Sequence, residues 1–194
     1  MKRFLSVLLV FLALLAACAV GASAAAGKFD PGTIQKCIFL NDTEVANGFG
    51  HCAMVLVDKD GNGLLYSFQS GGLWEMTLSP GKLKQFLETG LIPDAESKFK
   101  FSRAIEFGVL PEEGRRMYDY AETTQFREFF MYASFFTNLL PIGDNCLTFA
   151  QKTMRAGGSK YNFLYPFGVP VFFFYTMQLG LRTNAVPYTV YYPG

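Results

Sequence analysis

HCAMVLV, residues 51–57, is the stretch that decides the fold, because every residue after His51 is apolar or small. A continuous apolar run of this length predicts a central β-strand that is covered on both faces. Residues 59–63, KDGNG, then predict a tight turn, and residues 64–69 predict a return strand. The sequence therefore predicts a β-hairpin near the centre of a sheet.

Further elements are predicted on both sides of this hairpin. Residues 33–40 indicate either a first strand or a short helix, and the alternation over residues 99–107 predicts a strand with one wetter face. Ser79 and Pro80 predict the start of a helix that Gly90 ends. Helices are also predicted at residues 111–123 and 126–140, and two or three irregular strands are expected beyond Lys160.

Residues 1–26 have the pattern of a signal peptide: a charged start, an apolar run and a zone of small residues before a cleavage site. The remaining residues, 27–194, suit a single domain with an ample core. We therefore expect an exported, secreted protein. Residues 15–18, LAAC, also resemble a bacterial lipobox, so a lipoprotein that is attached to the membrane through Cys18 is the alternative.

The composition argues against nucleic acid as a partner. The formal net charge is only +1, and the lysines and arginines are scattered rather than clustered. The aromatic fraction of 16% predicts a heavily aromatic core, with an aromatic binding groove as the alternative for the C-terminal part.

Three cysteines follow the predicted signal peptide, and an odd number leaves at least one thiol unpaired. Cys37 and Cys52 both fall in β-rich segments and can form a disulfide if their strands are neighbours, which would leave Cys146 free. Alternatively, all three cysteines are small buried side chains of the core.

No metal or cofactor is expected from the sequence. Asp58, Asp60 and Asn62 match the first half of a calcium-binding loop, but Gln69 occupies the twelfth position, where a bidentate Glu is required. A hairpin turn explains the same residues. One histidine and dispersed cysteines show no zinc-ligand spacing.

Asp144 or Asn145 is expected to cap a helix that ends at residues 157–158, which places Cys146 in its first turn. Free N–H groups and the helix dipole lower the pKa of a thiol there and can hold an oxyanion. His51 is the only histidine in the chain, so a reactive Cys146 would need it as general base. Taken alone, the local pattern favours a buried cysteine on an apolar helix face and a histidine satisfied at a strand end.

Residues 50–57, GHCAMVLV, and residues 145–149, NCLTF, resemble the circularly permuted papain-like proteins of the NlpC type, which include the lecithin-retinol acyltransferase group. In that superfamily a Gly-His pair starts a core strand, and an Asn-Cys pair later opens a helix. The resemblance covers roughly residues 50–70 and 140–157. It implies an α+β, papain-like fold with an antiparallel sheet packed against helices and the His strand before the Cys helix.

The resemblance also implies an activity, that of a cysteine hydrolase or acyltransferase acting on a peptide, amide or ester. Cys146 would be the nucleophile and His51 the base. The family often carries a His, Glu or Asp in the second strand, where this chain has Tyr66, Ser67 and Gln69. We expect Gln69 or Tyr66 to orient the imidazole. The departure keeps open a catalytically inactive exported binding protein of the same fold.

Overall fold

The structure is a computed structural model that describes residues 27–44, 50–92, 100–124, 129, 144–163 and 169–193. The predicted signal peptide, Cys18 and nearly all of the helix predicted at residues 126–140 lie outside these residues. Within the described residues, no helix is long and apolar enough to cross a membrane.

The fold is α+β, with a six-stranded antiparallel sheet and helices packed on it. The strand order across the sheet is β4-β3-β2-β1-β5-β6. The strands are β1 Ile34–Asp42, β2 His51–Asp58, β3 Gly63–Gln69, β4 Gly72–Leu78, β5 Arg103–Gly108 and β6 Tyr188–Tyr191. The α-helices that the described residues contain are α1 Pro80–Thr89, α2 Pro111–Thr124, α3 Cys146–Gly157 and α4 Pro170–Thr183.

Strand β2 lies inside the sheet and is buried along its whole length, as its apolar run predicts. Its alternate side chains enter two separate cores. Cys52, Met54 and Leu56 face α2, α3 and α4, whereas the opposite face of the sheet packs on α1. For residues 33–40 the sequence left open a strand or a short helix, and the structure has a strand there, β1.

The predicted hairpin turn after β2 is confirmed, and the Asp58 carboxylate accepts hydrogen bonds that hold this turn together. Asp58 Oδ1 accepts the backbone N–H groups of Asp60, at 2.9 Å, and Asn62, at 2.8 Å. Its Oδ2 accepts the N–H of Asp30 at 3.1 Å and the side-chain amide of Asn62 at 3.0 Å. N–H donors therefore surround both Asp58 oxygens and hold the loop as a hydrogen-bonded turn.

The other predicted elements that fall within the described residues agree with the structure except near the C-terminus. Ser79 caps α1, and Gly90 ends it with a φ of 70° in the left-handed region, as expected. The strand predicted from residue 99 begins only at Arg103. Beyond Lys160, the expectation of irregular strands is wrong, since α4 and the short strand β6 occupy this region.

Burial explains why the aromatic segment of α4 is a helix. Phe173, Phe174, Met177 and Leu181 recur at helical spacing and fill the core. Pro170 occupies the first turn, where its missing N–H costs nothing. Tertiary packing therefore overrides the strand preference of the aromatic residues.

Of the two alternatives that the sequence leaves open for the cysteines, the Cys37–Cys52 disulfide is not formed, because Cys37, Cys52 and Cys146 are all free thiols. The strands β1 and β2 are neighbours, but Cys37 stands opposite Leu56 and Cys52 opposite Asn41. That offset of four residues separates the two cysteines by about 13 Å along the strands, beyond the span of a disulfide.

Candidate functional site

The candidate site is built on the first turn of α3. Asn145 is the N-cap: its Oδ1 accepts the N–H groups of Leu147 at 3.0 Å and Thr148 at 2.9 Å. In return, Thr148 Oγ1 accepts the N–H of Asn145 at 2.9 Å, which completes a capping box. The predicted cap is thus confirmed, and Cys146 is the first residue of the helix.

Buried Asp144 holds this turn in place from behind. Its Oδ1 accepts the Thr148 hydroxyl at 3.0 Å and the ammonium group of Lys152 at 2.6 Å. Thr148 therefore joins the cap and the buried ion pair in one network. This network fixes the direction of the residues that precede and follow Cys146.

The half-buried Cys146 thiol meets two consecutive residues at the start of β2. The hydrogen bond with the Cys52 side chain and that with His51 both lower the pKa of Cys146, and the positive charge of His51 adds to the effect. Burial alone would raise this pKa, but the specific contacts outweigh it. Cys146 therefore has the electrostatic surroundings of a thiolate.

Cys52 has the opposite character. Complete burial and the neighbouring Cys146 raise the pKa of the Cys52 thiol well above its ordinary value. The proton of the pair therefore belongs to Cys52, which donates to the Cys146 sulfur. The sequence predicts for Cys52 either a bridge with Cys37 or a place among the small buried side chains of the core, because nothing local indicates that α3 begins above it.

Ser67 holds the other side of the imidazole, with its Oγ 2.9 Å from His51 Nε2. Strand register explains this contact. Met54 of β2 pairs with Tyr66 of β3, and side chains alternate between the two faces of the sheet, so Ser67, the next residue of β3, lies on the same face as His51. Both side chains are buried. The hydroxyl can accept the Nε2 proton and so leave Nδ1 for exchange with the thiol.

Tyr66 and Gln69 were expected to orient the imidazole, but the hydrogen-bond partner of His51 Nε2 is Ser67. Tyr66 points to the opposite face, where its hydroxyl donates to Glu122 at 2.6 Å. Gln69 lies at the end of β3, opposite Gly72. The alternation of side chains along β3 separates Tyr66 from Ser67, and the sequence alone did not reveal which of the polar residues faces His51.

The backbone around His51 is also fixed by side chains that sequence reasoning missed. Asn41 donates to the His51 carbonyl at 3.0 Å, and the buried guanidinium of Arg103 donates to Asn41 Oδ1 at 2.8 Å. Gly50 has a φ of 83°, and a Cβ there would lie 2.7 Å from the Asp42 carbonyl oxygen. The required glycine and the Asn41 bond together set the direction in which β2 enters the site.

The site combines groups that are suited to nucleophilic chemistry. Across the described part of the chain, no group of three His, Cys, Asp or Glu side chains is placed to hold a metal ion. A thiolate, an imidazole with a hydroxyl behind it, and a helix N-terminus are the groups that nucleophilic catalysis requires.

Comparisons with protein-family models, curated proteins and solved structures find no match for this chain.

Proposed function

We propose that this protein is an exported cysteine hydrolase or acyltransferase that cleaves an amide or ester through Cys146 and His51. The observation that carries the proposal is the contact between the only histidine of the chain and a thiol at the first residue of a helix. Hydrogen-bond reach between nucleophile and base is the first geometric requirement of this chemistry.

The reaction would proceed in two halves. The Cys146 thiolate attacks the carbonyl carbon, and the backbone N–H of Cys146 helps to hold the developing oxyanion. Asn145 uses the N–H groups of Leu147 and Thr148 for the cap, so that of Cys146 is not among them. His51 gives its proton to the departing amine or alcohol, which leaves an acyl group on the sulfur.

In the second half, water or an acceptor hydroxyl or amine attacks the acyl-sulfur intermediate while His51 takes its proton. The tetrahedral intermediate collapses and returns the thiolate. Ser67 would keep the imidazole ring in one orientation through both halves. It would replace the carboxylate or amide partner of better-known triads, and it would stabilise the imidazolium less than a carboxylate does.

The fold that this proposal implies is a permuted papain-like one in a single domain over residues 27–194. It is supported by the order of the elements, in which the strand with His51 precedes the helix with Cys146, and by the antiparallel sheet on which that helix packs. A peptide, amide or ester substrate, with cell-wall peptides as the first class to test, follows from the resemblance and the expected export.

The test uses a thiol-directed probe and a panel of ester and peptide substrates. We expect Cys146→Ser and His51→Ala to lose both labelling at residue 146 and hydrolysis, with circular dichroism unchanged. Cys37→Ala is the matched control, because Cys37 is completely buried elsewhere in the core and should leave both readouts unchanged. Labelling and hydrolysis that persist in His51→Ala would overturn the proposal.

The second candidate is a catalytically inactive exported protein that binds a partner. It is favoured by an apolar stripe on α4, where Phe172, Tyr175 and Leu179 are each more than half exposed. A Tyr175→Ser variant, which removes one aromatic ring of this stripe, would then reduce partner binding without any effect on thiol labelling. Absence of hydrolysis in the wild-type protein across the whole panel would favour this alternative.

A further inference from the structure

A second thiol stands beside the candidate nucleophile, and the acyl-transfer mechanism does not use it. Cys52 follows His51 directly on β2, its side chain is completely buried, and it is hydrogen-bonded to Cys146. We propose that Cys52 and Cys146 are a redox modification site, at which a peroxide converts the two thiols reversibly into a disulfide.

The packing supports this pairing over any other in the described chain. Cys52 and Cys146 belong to the same core cluster, in which α3 packs directly on β2. The two thiols are hydrogen-bonded to each other, and a disulfide requires that their sulfurs approach to about 2 Å. Cys37 shares the cluster but stands about 13 Å from Cys52 along the strands.

The two thiols have the complementary properties that the reaction needs. Cys146 is half-buried and has the character of a thiolate, the form that reacts with peroxides. Cys52 is buried and protonated, so peroxide does not reach it first. This pairing of an accessible reactive thiol with an adjacent resolving thiol is typical of redox-sensitive cysteines.

The reaction balances in two steps. The Cys146 thiolate attacks one oxygen of hydrogen peroxide, the O–O bond breaks, and Cys146 sulfenic acid and water form after one proton is taken up. The Cys52 sulfur then attacks the sulfenic sulfur, the S–O bond breaks, and a second water leaves with the Cys52 proton. The two sulfurs together lose two electrons to the peroxide, and a dithiol reductant returns them.

Disulfide formation would switch off the acyl-transfer activity, since the attacking sulfur is consumed. That consequence rests on the proposed function, but the disulfide itself does not. The experiment therefore measures the covalent product and the hydrolysis separately, so that failure of either idea is seen alone.

The test treats the purified protein with one equivalent of hydrogen peroxide and measures its intact mass. We expect the loss of two hydrogen atoms, a Cys52–Cys146 peptide after proteolysis under non-reducing conditions, and full reversal with dithiothreitol. Cys52→Ala should instead gain one oxygen atom on Cys146, as a sulfenic acid, and form no internal disulfide because no resolving thiol is present; a further excess of peroxide should carry this sulfur on to sulfinic acid, which dithiothreitol does not reduce. Cys37→Ala should behave like the wild-type protein.

Two results would overturn the inference: a wild-type protein that gains oxygen without losing hydrogen, or a disulfide that contains Cys37. Where Cys52→Ala folds poorly, Cys52→Ser serves as the second variant, with the same expected gain of oxygen. A disulfide that forms in a protein without hydrolytic activity would reject the proposed function and leave this redox site standing.

Discussion

Removal of the Ser67 hydroxyl is the most direct test of how the imidazole is held. The Ser67 Oγ lies 2.9 Å from His51 Nε2, and the exposed fractions of the two residues are only 2% and 8%. A buried polar atom that loses its partner costs about 1–3 kcal/mol, and hydrogen bonds to charged groups contribute roughly 1.5–3 kcal/mol. We therefore expect Ser67→Ala to be destabilised by about 1–3 kcal/mol.

The reactivity of Cys146 should fall in the same variant. The Ser67 hydroxyl shares a hydrogen bond with Nε2 of His51, so its loss leaves the imidazole less firmly held beside the Cys146 thiolate. The pKa of Cys146 then rises toward its ordinary value, and the thiolate fraction at neutral pH decreases. Since about 1.4 kcal/mol corresponds to a factor of ten, the expected loss is about ten-fold to one-hundred-fold in the alkylation rate.

The assay is the second-order rate of alkylation by iodoacetamide across a pH series, with urea unfolding measured in parallel. Tyr161→Phe is the matched control, because it also removes one buried hydroxyl, which donates to Glu113 at 2.8 Å, away from the ring of His51. Wild-type alkylation rates in a folded Ser67→Ala protein, or an equal decrease in Tyr161→Phe, would refute the assigned role of Ser67.

The remaining predictions concern the thiol pair, the helix cap and close packing. The Cys52 hydrogen bond is the largest influence that lowers the pKa of Cys146, so Cys52→Ala should move the midpoint of the alkylation–pH profile to higher pH; an unchanged midpoint would contradict this. Asn145→Ala should lose about 1 kcal/mol in chemical unfolding, and Asn145→Asp clearly less, because Asp also caps helices. Gly114→Ala should be destabilised by about 1–3 kcal/mol, since its Cβ would lie 2.5 Å from the Ile34 side chain on β1. Gly81→Ala has open space around its Cβ and should be neutral or slightly stabilised. Equal melting temperatures of the two variants would contradict the packing argument.

Local patterns were sufficient to predict the central hairpin, the ends of α1 and the cap of α3. The apolar run of β2, the turn residues after it and the Asn145 cap act over a few positions of the chain. Each signal is a preference of the backbone or of a nearby hydrogen bond, so it survives without knowledge of the fold. The identity of Cys146 and His51 as candidates followed from these placements and from the presence of a single histidine.

The C-terminal part of the chain was not predictable in this way. Aromatic residues favour strands on average, but Phe173 and Phe174 of α4 are buried in the core together with Met177 and Leu181, at helical spacing. The segment therefore takes the form that buries the most apolar surface in this fold. Similarly, the cysteines of β1 and β2 suggested a disulfide until the register placed them apart.

The sequence by itself determined the central strand and the helix that starts at Cys146, because these depend on neighbours along the chain, and it named Cys146 and His51 as the candidates for proton exchange. Only the tertiary structure decided that the Cys146 sulfur meets His51, that Ser67 rather than Tyr66 or Gln69 contacts the ring, and that Cys52 shares the site. Those contacts join β2, β3 and α3 across long stretches of chain. They follow from strand register and helix packing, which are set by burial of the whole core and not by any local pattern.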